Sequence, residues 1–341
     1  MDRPNSTERI VLRAYRGQED HPAMNDVAAS VRAFNGNPEL GSVDEMDHYY
    51  AHLEHADLPR DCALVELDGS VVGYARASWE QLVNGERQVA SIVFVDPAQR
   101  GRGVEELLVG HVLHRAGELI PVIGREHATR VTLFVTARDP EQRRVLEDRG
   151  LRIARRGALL VRPTFDGIPD LPIPAPFEVR PIDPSDRSMH RRVFDADARA
   201  FADSHGQSAP SDGQFSGWLE SPTFDPRLWR VAFDGERIAG QILNYLGEVE
   251  PDGSRIGWTE AISVQPEYRR RGLARALLTE SLRAVRDPGA ASAALGVDLQ
   301  NPNHALNLYE SLGFRIVAED YEYELGPFPP GTSPRFGDGP S

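Results

Sequence analysis

The chain has 341 residues, which is long enough for two domains that each bury a core of their own. A hydrophobic fraction of 40% is typical of a globular protein, and no apolar run approaches the length of a membrane span, so we expect a cytoplasmic protein with no membrane partner and no secretory leader. The net charge of -14 argues against a nucleic-acid partner, and the single cysteine, Cys62, excludes an intramolecular disulfide and a multi-cysteine metal site. No spacing of His, Asp and Glu suggests a metal site either.

The predicted elements occur twice in the same order: a strand, helices, a hairpin, a long strand, a loop that opens a helix, a further strand, a short helix and a last strand. Three landmarks recur about 165 residues apart, which indicates a tandem duplication. These landmarks are the hairpin turns Asp68-Gly69 and Asp234-Gly235, the loop glycines Gly103 and Gly272, and Gly150 and Gly313 before the last strands.

These elements predict an α/β (α+β) fold with two tandem domains, over 1–162 and 178–325, each with a mixed β-sheet flanked by helices. Residues 163–177 are too rich in proline for a helix or a central strand and are predicted to form a stiff linker. The segment 321–325 is predicted to be the last strand of the second domain. The tail, 326–341, is rich in Pro, Gly and Ser and is predicted to be disordered.

The most informative segment runs from the strand 262–264 through an arginine-rich loop to Gly272, where a helix of Ala and Leu begins. The first N–H groups of a helix have no acceptor within it and lie at its positive end, so this loop is a candidate seat for a pyrophosphate. A solvated basic turn before an ordinary helix is the alternative, and one short motif does not exclude it.

A second motif follows the strand 294–299 and contains Asn301, Leu308-Tyr309 and Gly313-Phe314. The two segments together resemble the GNAT family of N-acetyltransferases, whose acetyl-CoA loop reads Gln/Arg-x-x-Gly-x-Gly/Ala and whose later helix ends in Leu-Tyr-x-x-x-Gly-Phe. Arg269, Gly272 and Ala274 fit the loop pattern. The tandem arrangement is similar to that of mycothiol synthase and its relatives.

This resemblance implies a splayed sheet with acetyl-CoA, the co-substrate, in the splay, and direct acetyl transfer to a primary amine without a metal. Tyr309 would protonate the CoA thiolate as it leaves, although a core aromatic on an amphipathic helix is the alternative. The residues implied to hold acetyl-CoA are Ile262, Ser263, Val264, Arg269, Arg270, Arg271, Gly272, Leu273, Ala274 and Asn301.

Glu260 is the candidate for the catalytic base. Strand alternation predicts that it shares a face with Trp258, Ile262 and Val264, and burial among apolar neighbours would raise its pKa. An ion pair with an arginine, or a water that relays the proton, are the alternatives. His205, in a loop that resembles the acceptor side of the family, is a weaker candidate.

The first copy departs from the family pattern at two positions. Glu105 stands where the family has Gly or Ala and would place a carboxylate in the pyrophosphate seat, and Leu146 stands opposite Tyr309. We therefore expect a degenerate first domain and catalysis in the second.

The leading hypothesis is an N-acetyltransferase that acts on a small-molecule amine as a monomer or homodimer. The alternatives are a non-catalytic acyl-CoA sensor, which the presence of Tyr309 disfavours, and a protein or peptide N-acetyltransferase, for which the negative charge would suit a basic acceptor. The residues that select the acceptor lie in loops without a recognisable pattern, so the acceptor of the tandem relatives does not carry over.

Overall fold

The computed structural model describes residues 9–37, 39, 41–201, 206–250, 253–301 and 305–336. They form two compact units: the first takes the described residues of the ranges 1–36, 40–155 and 320–341, and the second takes those of 37–39 and 156–319. A polypeptide of this length buries apolar surface most effectively around two separate cores, and each unit has its own.

The first unit contains a mixed sheet with the strand order β1-β2-β3-β4-β5-β12, in which only β4 and β5 are parallel. Its strands are β1 (Ile10–Ala14), β2 (Cys62–Leu67), β3 (Ser70–Gln81), β4 (Arg87–Val95), β5 (Thr129–Thr136) and the part of β12 (Arg315–Phe328) from Asp320 onwards. Its helices are α1 (His21–Asn35), α2 (Val43–Ala51), α3 (Leu58–Asp61), α4 (Val104–Ile123) and α5 (Pro140–Asp148).

The second unit repeats this topology with the strand order β7-β8-β9-β10-β11-β6, and here only β10 and β11 are parallel. Its strands are β6 (Arg152–Arg162, from Arg156 onwards), β7 (Glu178–Arg180), β8 (Arg230–Asp234), β9 (Arg237–Val249), β10 (Arg255–Val264) and β11 (Ser292–Asp298). Its helices are α6 (Arg187–Ala200), α7 (Asp212–Leu219), α8 (Leu273–Arg286) and α9 (Ala305–Ser311).

Each unit takes its last strand from the other copy of the sequence. Strand β6 ends the first copy, yet it pairs with β11 of the second unit, while β12 ends the second copy and pairs with β5 of the first. The compact units therefore divide at Arg155 and Asp320 and do not follow the sequence boundary at 162. Residue patterns identify a strand but not its partner, because both last strands offer the same backbone hydrogen bonds.

Both predicted hairpins are confirmed, although the second turn consists of Gly235 and Glu236 and not of Asp234 and Gly235. Asp68 and Gly69 have φ angles of 50° and 88°, as a two-residue turn with both residues at positive φ requires, and they connect β2 to β3. Asp234 pairs with Arg237 across the second turn, in which Gly235 has a φ of 58°.

The proline-rich segment and the first part of the tail pack against the cores of the two units. Residues 163–177 contain no helix or strand, but Phe165, Ile168 and Ile173 pack against the core of the second unit. The expectation of a disordered tail is wrong for residues 326–336, because β12 continues to Phe328 and Phe336 packs against the core of the first unit. Residues 337–341 lie outside the described residues.

Candidate active site

Strands β10 and β11 separate in the middle of the second unit. Strand β10 runs to Val264 and β11 to Asp298, but parallel pairing joins only Ile256–Trp258 to Ser292–Ala294. Beyond Trp258 no further residues of the two strands pair, and the strands leave a wedge between them.

A β-bulge marks the point where β10 turns away. Glu260 faces Leu243 on β9, whereas Ser263 faces Gln241, so β10 has one extra residue in this interval. Ala261 within the bulge has a φ of 47°, which is uncommon for a residue with a Cβ atom.

The bulge makes the expected strand alternation wrong. Residues that pair across two strands share a face of the sheet. Trp258, Glu260 and Ser263 pair with Tyr245, Leu243 and Gln241 of β9, so all six lie on one face. Val264 lies on the other face. Glu260 is also not enclosed among apolar side chains; it is reached by solvent through the cavities that it lines.

A cavity of about 920 Å³ occupies the wedge. It contains nearly all the residues that the sequence proposed for the site, from the catalytic candidates Glu260 and Tyr309 to Asn301 and the loop after β10. The proposed residues that line it are Glu260, Ile262, Ser263, Val264, Arg269, Arg270, Gly272, Leu273, Ala274, Asn301 and Tyr309.

Arg271 is the proposed residue that is not in the cavity lining. Its guanidinium donates to the Glu267 carbonyl oxygen at 3.0 Å and lies over the Tyr268 ring, 5.6 Å from the ring centroid. A direct contact of this side chain with a ligand in the cavity stays a prediction.

The N-terminus of α8 has the features of an anion seat. Gly272 precedes the helix with a φ of 80°, and the space beside it is open. Within the described residues, the N–H groups of Leu273, Ala274 and Arg275 have no hydrogen-bond acceptor. Arg275, which the sequence analysis missed, is exposed and lines the cavity together with exposed Arg270. Free N–H groups, the helix dipole and two guanidinium groups thus converge on one region.

Arg269 lines the cavity and also bonds the backbone of two elements. Its Nε atom donates to the Val264 carbonyl oxygen at 3.1 Å and its Nη2 atom to the Ala200 carbonyl oxygen at 2.8 Å. These bonds direct the guanidinium into the protein, where it ties the end of β10 to the end of α6.

The equivalent seat in the first unit is filled by its own side chain. Gly103 precedes α4 with a φ of 87°, but buried Glu105 accepts a hydrogen bond from the Gly101 N–H group at 3.1 Å. Burial raises the pKa of Glu105, while bonds from its own N–H group and that of Gly101 act in the opposite direction. The carboxylate therefore lies where an incoming phosphate would need the same donors.

Tyr309 lies on α9 with its ring against the core and its side chain at the cavity. The residue is 6% exposed and packs edge-on against Phe314, with ring centroids 6.2 Å apart. Burial raises the pKa of the Tyr309 hydroxyl to about 12, so the group keeps its proton at neutral pH. A buried ring in the cavity lining and a hydroxyl that keeps its proton agree with both interpretations of this residue, the core aromatic and the proton donor.

Glu260 lies in a negatively charged environment and is open to solvent on the side of the cavities. The protein around its carboxyl group displaces part of its hydration and raises its pKa, a hydrogen bond from the Tyr245 hydroxyl at 3.4 Å lowers it, and the charges of Asp197 and Glu39 raise it. Glu39 also accepts a hydrogen bond from the Trp258 indole. A carboxylate with a raised pKa is a better proton acceptor for an ammonium group than an ordinary surface carboxylate.

Asp197 on α6 is a second acidic group in the cavity that the sequence analysis missed. Burial raises the pKa of Asp197 to about 6, against the opposing effect of Ser263 and Gln241. Helical periodicity could have predicted this position. Asp197 follows buried Val193 by four residues and buried Ala196 by one, which places it on the inner side of α6. His205 lies outside the described residues.

Two further properties apply to the parts of the chain that the structure describes. None of their helices is both long and apolar enough to cross a membrane. They also hold no group of three or more His, Cys, Asp or Glu side chains arranged to bind a metal ion.

Comparisons with known proteins agree with this geometry. The sequence model of the Acetyltransferase (GNAT) family matches residues 31–150 and 190–314. The chain is 28% identical to a mycothiol acetyltransferase from Rhodococcus jostii strain RHA1 over 271 residues, or 76% of this chain and 81% of the relative.

Two solved structures share the fold over nearly the whole chain. A GNAT N-acetyltransferase from Sphaerobacter thermophilus matches with a TM-score of 0.69 at 24% identity. The match covers 93% of this chain and 95% of that protein. A tandem GNAT protein from the clavulanic acid biosynthesis pathway matches with a TM-score of 0.62 at 18% identity. This match covers 94% of this chain and 99% of that protein. The expected family resemblance, the tandem α/β fold and the class of enzyme, an N-acetyltransferase, are confirmed.

Proposed function

The chain belongs to the GNAT family of acetyltransferases, and we propose that it transfers the acetyl group of acetyl-CoA directly to a primary amine in the cavity of the second unit. One observation carries this proposal: a single cavity joins the open N–H groups of α8 to both Glu260 and Tyr309. A donor that is anchored at one end of this cavity can present its thioester to the two catalytic candidates.

The anchoring groups suit a pyrophosphate. The N–H groups of residues 273–275 would donate to phosphate oxygens, and Arg270 and Arg275 would add positive charge. The backbone of Ile262, Ser263 and Val264 borders the wedge where β10 has left β11, so its N–H and C=O groups would bond the pantetheine amides and the thioester oxygen.

The residues of this cavity can move both protons that the reaction requires. Glu260, directly or through a water, would take a proton from the acceptor ammonium, and the resulting amine nitrogen would attack the thioester carbonyl carbon. The C–N bond forms and the C–S bond breaks, and the leaving thiolate takes the proton of the Tyr309 hydroxyl. The nitrogen, which still carries two protons and a positive charge, would release one of them to restore this hydroxyl, so that a neutral amide and a thiol remain. With a pKa of about 6, Asp197 would be mostly ionised at neutral pH. Its negative charge would favour a cationic acceptor.

We propose that the first unit does not catalyse this reaction. In the loop before α4, the Gly101 N–H group already donates to the Glu105 carboxylate, and Leu146 has no ionisable group with which to replace Tyr309. A small-molecule acceptor is supported by the likeness to a mycothiol acetyltransferase.

Two measurements on the purified chain test this function. Calorimetry with acetyl-CoA should give one site per chain, and an assay of thiol release should detect turnover with at least one amine of a panel that contains aromatic, aliphatic and sugar amines and a lysine peptide. Binding without thiol release from any amine would instead favour an acyl-CoA sensor. Two equivalent sites would overturn the assignment to the second unit, and no binding at all would overturn the proposal.

A further inference from the structure

A second cavity, of about 250 Å³, lies beside the acetyl-CoA cavity and shares Glu260 and Ala261 with it. Leu243 and Tyr245 of β9 contribute to it from the same sheet face as Glu260. The segment from the end of α7 to the start of β8 supplies the remaining walls. Glu260 is thus the carboxylate at which the two cavities meet.

Three aromatic rings form the outer wall of this second cavity. Trp218 and Trp229 stack with their centroids 5.0 Å apart, and Phe224 meets them edge-on at 5.0 Å and 5.1 Å. Trp229 is only 4% exposed. Rings that support one another in this way keep a fixed shape, and such walls suit a flat or compact apolar group.

The polarity of the lining restricts what can enter. Among the described residues that line the second cavity, Glu260 alone is charged, whereas the acetyl-CoA cavity contains several arginines. A phosphate or carboxylate would therefore find no cation here. The other polar side chains of the lining already have partners: the hydroxyls of Ser221 and Thr223 share a hydrogen bond at 2.9 Å, the Tyr245 hydroxyl donates to Glu260, and the Asn244 amide group donates to the Leu228 carbonyl oxygen. Few partners are left for the many hydroxyls of a sugar.

Glu260 also decides which reactant this cavity would receive. A longer acyl chain of the donor would place hydrocarbon against the Glu260 carboxylate. The chain would displace water from this charge and offer no hydrogen bond in return, which is unfavourable. An ammonium group pairs with the carboxylate and is also attracted to the aromatic faces beside it. The second cavity therefore fits the acceptor better than it fits the acyl group.

We propose that this aromatic cavity binds the body of the acceptor, and that the acceptor is a primary amine carried on an aromatic ring or a compact hydrocarbon group. This inference rests on the proposed acetyl transfer, in which the amine must reach Glu260. At about 30 Å³ per water molecule, the cavity has the volume of about eight waters, which is enough for a phenyl or indole group on a short linker.

Steady-state kinetics of the full chain at saturating acetyl-CoA test the acceptor class. The value of kcat/KM for 2-phenylethylamine should exceed that for glucosamine by at least about 10-fold, the scale on which an apolar pocket discriminates. In Thr223→Phe, which adds a ring to the cavity wall, KM for 2-phenylethylamine should rise by about 10-fold while the affinity for acetyl-CoA is unchanged. Pro222→Phe is the matched control, because it adds the same ring at an exposed neighbour outside the cavity lining.

Binding provides a readout that does not depend on turnover. Since Trp218 and Trp229 line the cavity, 2-phenylethylamine added to the CoA-loaded chain should change the tryptophan fluorescence, and Thr223→Phe should weaken this effect. Binding of 2-phenylethylamine without acetyl transfer to any amine of the panel would refute the proposed function and leave the aromatic site standing. No binding, a preference for glucosamine, or equal KM values in both phenylalanine variants would overturn the inference. So would turnover of phenylacetyl-CoA that Thr223→Phe abolishes, because the cavity would then hold the acyl group.

Discussion

Ala274 occupies, in the second copy, the position that Glu105 occupies in the first, two residues after the loop glycine. At α4, the Glu105 carboxylate accepts a hydrogen bond from the Gly101 N–H group at 3.1 Å and occupies the anion seat. Replacing Ala274 with glutamate should block the seat at α8 in the same way. The corresponding donor in the second copy is the N–H group of Arg270. We therefore expect Ala274→Glu to weaken acetyl-CoA binding strongly.

The size of the effect follows from two contributions. Removing one backbone donor from an anion costs about 1.5–3 kcal/mol. A carboxylate about 5 Å from a phosphate charge repels it by about 3 kcal/mol at an effective dielectric constant of about 20. Solvent and the nearby Arg270 and Arg275 reduce the second contribution. Together they predict a loss of about 3–4 kcal/mol, or about 10²–10³-fold in Kd.

Ala274→Gln is the matched control, because it has nearly the same shape without the charge. Calorimetry should show a much smaller loss of affinity for this variant. A glutamate in the first turn of a helix is favourable by about 0.3–1 kcal/mol, so Tm of Ala274→Glu should not fall. Affinity within about threefold of the parent for Ala274→Glu, or equal losses in both variants, would refute the electrostatic argument.

Three further outcomes follow from the site. Tyr309→Phe should lower kcat by about 10²-fold and leave the Kd for acetyl-CoA unchanged, because only the hydroxyl is lost; an unchanged kcat in single-turnover measurements would remove it from proton transfer. Glu260→Gln should lower kcat/KM by about 10²–10⁴-fold; if the acidic limb of its pH profile persists and follows the pKa of two different acceptors, the amine arrives neutral and Glu260 is not the base. Asp197 has a pKa of about 6 against an ordinary 3.8, so the folded state favours its protonated form and loses stability as pH rises through this interval. Urea unfolding should find Asp197→Asn more stable than the parent by about 2–3 kcal/mol at pH 8 and by little at pH 4, and an equal difference at both would contradict this.

The sequence alone determined those features that depend on a few neighbouring residues. A loop glycine before a helix-forming run predicts a helix start, and α8 and α4 begin directly after Gly272 and Gly103. An Asp-Gly pair between apolar runs predicts a tight hairpin, and both hairpins are present. The closure by Glu105 belongs to this group as well, since its carboxylate reaches an N–H group only four residues away.

Other features of the site could be only partly predicted. The order of the motifs assigned Tyr309 and the loop after β10 to one site, and residues of both line the same cavity. It did not predict that Arg269 would bond the Val264 and Ala200 carbonyl oxygens, because the position of Ala200 depends on how α6 packs. Uniform strand alternation failed at Ala261, since a bulge is defined by the register between two strands and not by either strand alone.

Only the tertiary structure decided the rest. The exchange of β6 and β12 depends on which sheet edge each strand reaches, and any two strands offer the same backbone bonds. Asp197 and the ring cluster of Trp218, Phe224 and Trp229 reach Glu260 across long stretches of sequence, through the packing of helices and loops on the sheet. Residue types tell which chemistry a side chain can perform, but the distance between two side chains that are far apart in sequence is set by the packing of the elements that carry them.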